Sequence, residues 1–203
     1  DGFVAAFANA NAGDVSPNTW LKPGQGPTND QFKNVKIQGE KQANAVRSQL
    51  KSSGTPVGKG LDSRISYFNF SGMTVDAKYT GSGHNERTCQ GFLGTPFGAG
   101  STEDGGGGWA VYKEGSGRPS ILGTLVFTPS ATQTRCQQPK GILFSAKNGT
   151  IIQEKYPVQI MRFGDYYLLG MPGEFTGAVG VQYRQDAAKL FGVPESHIIL
   201  QGY

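Results

Sequence analysis

The closing part of the chain constrains the fold most, because it alternates apolar strands with a helix. Residues 158–161 and 166–170 have the pattern of a hairpin that turns at Gly164-Asp165. A helix is predicted over about residues 176–191, and residues 198–200 form one more strand. A strand–helix–strand order favours parallel pairing within one sheet. We therefore predict a mixed α/β (α+β) fold, with a mixed sheet flanked by helices and long Gly-rich loops.

The remainder of the chain predicts one long helix and several short strands between loops. Its 31 glycines among 203 residues indicate many turns, and the length suffices for one domain with a sizeable core. In chain order, we expect a strand over 2–10, a loop over 16–30, a helix capped by Asp30 and ending near Lys51, one or two strands within 64–80, a Gly-rich connection over 81–108, a short strand or helix over 120–128, and a strand over 141–145.

Charge and hydropathy exclude several classes of protein. The formal net charge is +4, but the basic residues are scattered, so no nucleic-acid partner is predicted. No apolar run approaches the ~18 residues of a spanning helix. The positive balance is weak support for approach to an anionic membrane surface. The chain opens within an apolar segment and ends directly after another, so we expect a piece of a larger polypeptide or one of several companion chains.

The two cysteines, Cys89 and Cys136, have a spacing that fits neither a zinc finger nor a redox Cys-x-x-Cys pair. Asn69-Phe70-Ser71 and Asn148-Gly149-Thr150 are glycosylation sequons. Together they favour a secreted or cell-surface protein with a Cys89–Cys136 disulfide. Two buried free thiols remain the alternative.

A run of small polar residues, Asn11-Ala12-Gly13-Asp14-Val15-Ser16-Pro17-Asn18, follows the predicted opening strand. Pro17 fixes its own φ and biases Ser16 toward extended backbone, which can hold a hydroxyl rigidly. Two structural alternatives stay open: an Asx-type turn, or Ser16 capping a short helix. The segment is not Gly-x-Ser-x-Gly, so an α/β-hydrolase elbow is not predicted.

A single carboxylate, Glu174, follows a later apolar strand through a Pro-Gly turn, just before the predicted helix. That position suits a metal ligand or a general base. The alternative is a side chain that only favours the positive end of the helix dipole. His84 and His197 are more typical of structural positions, so the chain offers one convincing metal ligand, whereas a hydrolytic zinc takes about three.

The stretch from Gly98 to Gly108 lacks the Gly-Lys-Ser/Thr ending of a phosphate-binding loop, so nucleotide binding is not predicted. A flexible loop is the simplest interpretation. Within it, Asp104 can orient backbone amides or lie near a polar group of a substrate.

Several segments, in the same order along nearly the whole chain, resemble the neutral/alkaline non-lysosomal ceramidases. They are Gly13-Asp14-Val15-Ser16-Pro17-Asn18, Gly39-Glu40-Lys41-Gln42, the Gly-rich loop after Thr88-Cys89, Cys136-Gln137-Gln138-Pro139-Lys140, and Gly173-Glu174-Phe175-Thr176. The chain departs from the family pattern at Glu103, an extra residue in the Gly-rich loop, and at Gly177–Gln182.

The resemblance implies a zinc-dependent amide hydrolase that cleaves ceramide into sphingosine and a fatty acid. Residues 1–203 would be part of a single catalytic domain, with two zinc histidines, a tyrosine and an immunoglobulin-like domain lying in other segments. It implies catalytic roles for Ser16 and Asp14, zinc ligation by Glu174, and a Cys89–Cys136 disulfide. The remaining motif residues would bind substrate or hold loops: Asn11, Gly13, Asn18 and Asp104.

Two mechanisms stay open for Ser16, which would act either as the nucleophile that forms an acyl-enzyme or as a donor that stabilises the oxyanion. A different class of function also stays open: a non-catalytic relative that binds sphingolipid or a partner chain.

Overall fold

The computed structural model describes residues 2, 6–105, 130–145 and 152–203. The strand or helix expected over 120–128 and the sequon at Asn148 lie outside these residues. The described chain divides into two compact units. The first comprises Asp1–Val15, Ser48–Phe68 and Tyr156–Tyr203, and the second comprises Ser16–Arg47 and Asn69–Lys155.

The described residues form short strands and helices of mixed length. The strands are β1 (Leu61–Asn69), β2 (Thr74–Val75), β3 (Glu86–Arg87), β4 (Phe92–Gly94), β5 (Ile142–Ser145), β6 (Lys155–Phe163), β7 (Tyr166–Met171) and β8 (Ile198–Gly202). The α-helices are α1 (Gln31–Leu50), α2 (Thr95–Ala99), α3 (Ala131–Gln137) and α4 (Gly177–Phe191), and 3₁₀ turns span Ala77–Tyr79, Thr102–Asp104 and Glu195–His197.

The predicted mixed sheet is confirmed, with four strands in the order β1-β6-β7-β8. β6 and β7 form the antiparallel hairpin, in a register that pairs Phe163 with Tyr166 across the turn at Gly164. β7 and β8 are parallel, from Tyr167 opposite Ile198 to Met171 opposite Gly202. The helix between them is α4, so the strand–helix–strand interpretation of the sequence is correct.

One face of α4 packs on β7 and β8 and forms the core of the first unit. Ala187 and Ala188 of the helix are buried with Leu169, Ile198 and Leu200 of the strands. Small side chains on the helix allow close approach to the larger aliphatic residues of the sheet. The end of the helix is fixed by Gly192, whose φ of 68° is a left-handed conformation that glycine adopts without strain.

The long helix α1 begins and ends where the sequence predicts. Asp30 caps it, because the Lys33 amide donates to Asp30 Oδ1 at 3.1 Å. The apolar residues that indicated the helix are largely exposed, Phe32 at 89% and Val35 at 73%. Among the described residues, no helix combines the length and the apolarity that crossing a membrane requires.

The buried residue of α1 is polar. The Asn34 amide group donates to the carbonyls of Gly24 and Thr28 and accepts from the Thr28 amide at 2.8 Å. Asn34 therefore ties the first turn of α1 to the loop that precedes it, which a search for apolar periodicity does not detect.

The second unit is built from two-stranded ladders rather than a large sheet. β2 pairs with β3 and β4 pairs with β5, both antiparallel. The buried side chains around β4, β5 and α2 include Leu143 and Thr95. Cys89 and Cys136 form the expected disulfide, with their Cα atoms 6.4 Å apart.

Two secondary-structure predictions are wrong. Residues 2 and 6–10 are not in a strand. The Gly202 amide donates to the Asn9 carbonyl, but this bond is not part of a strand ladder. The predicted connection over 81–108 contains β3, β4 and α2 within its described part. β4 forms by pairing with β5, which is distant in sequence, so no pattern near β4 predicted it.

Candidate functional site

Ser16 lies at the centre of a hydrogen-bond network within the second unit. Its hydroxyl donates to Asp104 Oδ1 at 2.8 Å. The Asn18 amide nitrogen donates back to Ser16 Oγ at 3.2 Å, an ST-turn geometry in which Pro17 occupies the middle position. The hydroxyl is therefore fixed by a local turn on one side and by a carboxylate on the other.

Asp104 is presented by the 3₁₀ turn Thr102–Asp104. Gly105, with a φ of 102°, ends the turn in a backbone region that residues with a Cβ rarely adopt. Ser101, directly before the turn, donates its hydroxyl to Asp104 Oδ2 at 2.5 Å. The two carboxylate oxygens thus have different partners, with Ser16 on one and Ser101 on the other.

Asn18 connects the serine segment to this turn. Its Nδ2 donates to Asp104 Oδ1 at 2.6 Å and to the Glu103 carbonyl at 3.0 Å. Its Oδ1 accepts from the Gly24 amide at 3.0 Å. The extra residue of the Gly-rich loop, Glu103, is therefore accommodated inside the turn and supplies one of its contacts.

These contacts also set the ionisation of Asp104. Hydrogen bonds from Ser101, Ser16 and Asn18 favour the charged form and lower the pKa of Asp104 below its usual value, while partial desolvation opposes them. Asp104 is therefore a carboxylate at neutral pH, and the bond from Ser16 is charge-assisted.

In the first unit, the segment Asn11–Asp14 lies against the beginning of α4. Asp14 Oδ1 accepts from the Gly177 amide at 2.7 Å, and the Gly13 amide donates to the Phe175 carbonyl at 2.9 Å. A Cβ on Gly13 would lie 2.2 Å from the Glu174 carbonyl oxygen, so the close approach requires glycine. Asp14 satisfies an amide at the helix start, a capping role that the sequence interpretation did not foresee.

Asn11 completes this contact. Its Nδ2 donates to the Gly177 carbonyl at 3.4 Å, and its Oδ1 accepts from Arg184 at 3.2 Å. Gly180 of α4 lies beneath it, since a Cβ there would come within 2.4 Å of the Asn11 side chain.

Glu174 lies in the turn between β7 and α4 and is exposed. The turn includes Gly173, whose φ is 116°, and the Gly173 amide donates to the Tyr203 carbonyl at 2.7 Å. On the C-terminal side of Glu174, Gly13 holds the Phe175 carbonyl and Asp14 holds the Gly177 amide. The backbone that carries this carboxylate is therefore held at several points while the side chain stays free to bind.

The donor set needed for a zinc ion is not present in the part of the chain that the structure describes. No group of three or more His, Cys, Asp or Glu side chains comes together there. His197 stacks on Tyr166 with ring centroids 4.3 Å apart, and its Nδ1 lies 3.2 Å from the Asp165 carbonyl. Glu174 alone does not fit zinc, which takes about three protein ligands. The zinc role of Glu174 stays a prediction.

The network around Ser16 brings together three of the predicted site residues: Ser16, Asn18 and Asp104. Asn11, Gly13 and Asp14 form the contact with α4 that also holds the Glu174 backbone. Ser101 and Arg184 were missed. The signal for Ser101 was present, since a serine just before an acidic 3₁₀ turn is a common local hydrogen-bonding pattern. Nothing local pointed to Arg184, whose partner is distant in sequence.

Comparison with protein families gives a match over the whole chain. The model described as "Neutral/alkaline non-lysosomal ceramidase, N-terminal" matches residues 1–203.

Curated relatives agree with this match. The chain is 36% identical over 214 residues to a neutral ceramidase of Pseudomonas aeruginosa, a match that covers 100% of this chain and 31% of the relative. It is 33% identical to a neutral ceramidase of Mycobacterium tuberculosis, covering 99% of this chain and 32% of the relative. The chain thus spans about a third of the length of these relatives.

Solved structures give the same likeness. A structure described as "Ceramidase complexed with C2" matches with a TM-score of 0.80 and 35% identity over 99% of this chain and 32% of the other. A crystal structure of neutral ceramidase from Pseudomonas aeruginosa matches with a TM-score of 0.68 and 27% identity, over 100% of this chain and 30% of the other.

Proposed function

This chain belongs to the neutral/alkaline non-lysosomal ceramidase family, and we propose that the whole protein hydrolyses the N-acyl bond of ceramide to give sphingosine and a free fatty acid. The observation that carries the proposal is the orientation of Ser16. A serine hydroxyl fixed by a carboxylate and by a backbone amide is preorganised for a reaction at a carbonyl.

Amide cleavage requires attack on the carbonyl carbon and a proton for the leaving amine. Within this chain, Ser16 is the group we propose to meet the substrate, and Asn18 and Asp104 hold it. Ser16 acts there either as the nucleophile or as an oxyanion donor.

We also propose that the complete protein binds Zn²⁺, with Glu174 as one ligand and the other ligands in segments of the polypeptide, or in companion chains, outside these residues. When bound, zinc supplies Lewis acidity and lowers the pKa of a bound water to about 7. The support from this chain is the position of Glu174, an exposed carboxylate on a backbone held by Gly13 and Asp14.

The test of the activity uses the full polypeptide and a ceramide with a labelled acyl chain. We expect release of labelled fatty acid by the wild type and loss of turnover in Ser16→Ala. Ser53→Ala, a change of the same kind at an exposed position beyond α1, is the matched control and should keep full activity.

The outcomes of this assay are distinct. A wild type that binds ceramide without hydrolysing it would favour a non-catalytic sphingolipid-binding protein. A Ser16→Ala variant that turns over normally would remove Ser16 from the reaction. Recovery of a labelled acyl group on Ser16 would assign the nucleophile role.

We propose a secreted or cell-surface location with peripheral contact to a membrane. The Cys89–Cys136 disulfide is typical of oxidising compartments. Asn69 of the first sequon is exposed, as glycosylation requires. The test is glycosidase treatment of the native protein, which should shift its mobility, with Asn69→Gln and Asn148→Gln reporting on each sequon. Sedimentation with ceramide-containing vesicles tests the membrane contact.

A further inference from the structure

We propose that Asp104 is the positioning residue for Ser16, fixing the hydroxyl proton so that one lone pair of Oγ stays free to face a substrate. The inference rests on the proposed function and goes further, because it assigns a residue that acts on the reaction through another.

The proposal follows from counting the hydrogen-bonding capacity of the serine hydroxyl. A hydroxyl has one proton and two lone pairs. The Ser16 proton goes to Asp104 Oδ1 at 2.8 Å, and one lone pair accepts from the Asn18 amide at 3.2 Å. One lone pair remains, in a direction set by the other two bonds.

Asp104 is itself held so that this direction is defined. Asn18 Nδ2 donates to Oδ1, the oxygen that also accepts from Ser16, while Ser101 donates to Oδ2. The turn Thr102–Asp104 and the left-handed Gly105 fix the backbone below it. A carboxylate with bonds to both oxygens cannot rotate freely, so the Ser16 bond keeps one geometry.

This arrangement separates the two possible roles of Ser16. A hydroxyl whose proton is committed to a carboxylate presents a lone pair, as a nucleophile or as an acceptor toward the substrate. A donor to an oxyanion would first have to break the charge-assisted bond to Asp104, which makes that role costly. Removal of Asp104 should therefore impair the reaction if Ser16 acts through its lone pair. It should not impair the reaction if Ser16 acts by donating its proton to an oxyanion.

The experiment measures kcat and KM for ceramide in the full polypeptide for Asp104→Ala, Asp104→Asn, Ser101→Ala and the control Asp76→Ala. In Asp104→Ala we expect kcat to fall about 100-fold with KM nearly unchanged, since the reacting group is misdirected while the substrate still binds. Asp104→Asn keeps an acceptor oxygen for Ser16 and should restore kcat to within about 10-fold of the wild type.

Asp76→Ala is the matched control, because it removes a carboxylate that caps another 3₁₀ turn of the same unit, where Asp76 accepts from the Lys78 amide. It should keep the wild-type kcat. An equal loss in Asp76→Ala and Asp104→Ala would show that turn structure in general is what matters and would overturn the proposal, as would an Asp104→Ala enzyme with wild-type kcat. Thermal unfolding of each variant identifies any that fails to fold. If Asp104→Ala is one of them, Ser101→Ala carries the test, because it loosens the same carboxylate and should lower kcat by about 3–10-fold with KM unchanged, and a wild-type kcat there would overturn the proposal. A wild type without activity would refute the proposed function instead.

Discussion

At the scale of single residues, Asp14 shows that a residue of the serine motif makes a structural contact with the start of a helix. Its carboxylate accepts from the Gly177 amide at 2.7 Å, at the first residue of α4. Four amides at a helix start lack partners within the helix, and Thr176 and Asp14 each satisfy one of them. Asp14, two residues before the candidate serine, therefore supports the helix that follows Glu174.

We expect Asp14→Ala to lower the free energy of unfolding by about 1 kcal/mol, the usual cost of losing a side-chain cap. Asp14→Asn keeps the acceptor oxygen and should recover most of it. Urea denaturation checks both. Asp186→Ala, which removes a carboxylate from a later turn of the same helix, is the control. If Asp14→Ala is no less stable than Asp186→Ala, the capping contact contributes nothing.

The second residue-scale prediction concerns pH. Hydrogen bonds from Ser101, then Ser16, then Asn18 hold the pKa of Asp104 below its usual value of 3.8. A folded-state pKa below the unfolded value means that the charged form stabilises the fold. That contribution is present above the unfolded pKa of 3.8 and is lost as the pH falls through the lower, folded pKa.

We therefore expect the stability advantage of the wild type over Asp104→Asn to be constant from pH 7 to about pH 5 and to shrink below about pH 4. Thermal unfolding of both proteins across this range measures it. Ser101→Ala removes the largest cause of the shift and should reduce the low-pH dependence. A difference between wild type and Asp104→Asn that is the same at every pH would contradict the expectation.

At the scale of elements, glycine has opposite effects in the two long helices. Gly180 of α4 lies against Asn11, where an added Cβ would come within 2.4 Å of side-chain carbons. Gly39 of α1 has nothing within 4 Å of the same position. The first glycine permits a close contact, whereas the second only costs helix propensity.

We expect Gly180→Ala to destabilise the protein by about 1–3 kcal/mol, because the Asn11 segment must move away from the helix. Gly39→Ala should stabilise it by up to about 1 kcal/mol through helix propensity. Chemical denaturation of the two variants forms a matched pair. A stabilising Gly180→Ala would mean that Asn11 does not pack on α4.

The elements that the sequence predicts well are those specified by residues near one another. Asp30 before α1 and the Gly164-Asp165 turn between β6 and β7 are local signals, and both are confirmed, as is the helix expected over about residues 176–191. β4 depends on a partner that is distant in the chain, so no pattern within residues 81–108 announced it. The same distinction applies to the site, where Pro17 indicated an extended, rigid backbone at Ser16 but nothing local indicated the contact between Arg184 and Asn11.

At the scale of the whole molecule, the fold and the metal chemistry have different requirements. The described chain forms its own core around Leu169 and Leu200 and closes its own disulfide. It spans about a third of the length of its relatives. Within its described residues, no three His, Cys, Asp or Glu side chains come together. A zinc site that includes Glu174 and takes about three such ligands therefore needs at least one of them from outside these described residues.

This requirement makes Glu174 the most informative position for a metal measurement on the full polypeptide. Replacing a residue that only orients a ligand typically costs about 10–100-fold in metal affinity, so loss of a direct ligand should cost at least about 100-fold. We expect Glu174→Ala to retain far less zinc than the wild type after dialysis against a competing chelator, as measured by elemental analysis. Glu195→Ala removes another exposed carboxylate of the same unit and should retain the wild-type amount. Because Gly13 and Asp14 hold the backbone at Phe175 and at Gly177, the variant should keep its fold, so the zinc content reports on ligation itself. Equal zinc content in Glu174→Ala and wild type would show that Glu174 is not a zinc ligand, and its carboxylate would then only favour the positive end of the α4 dipole.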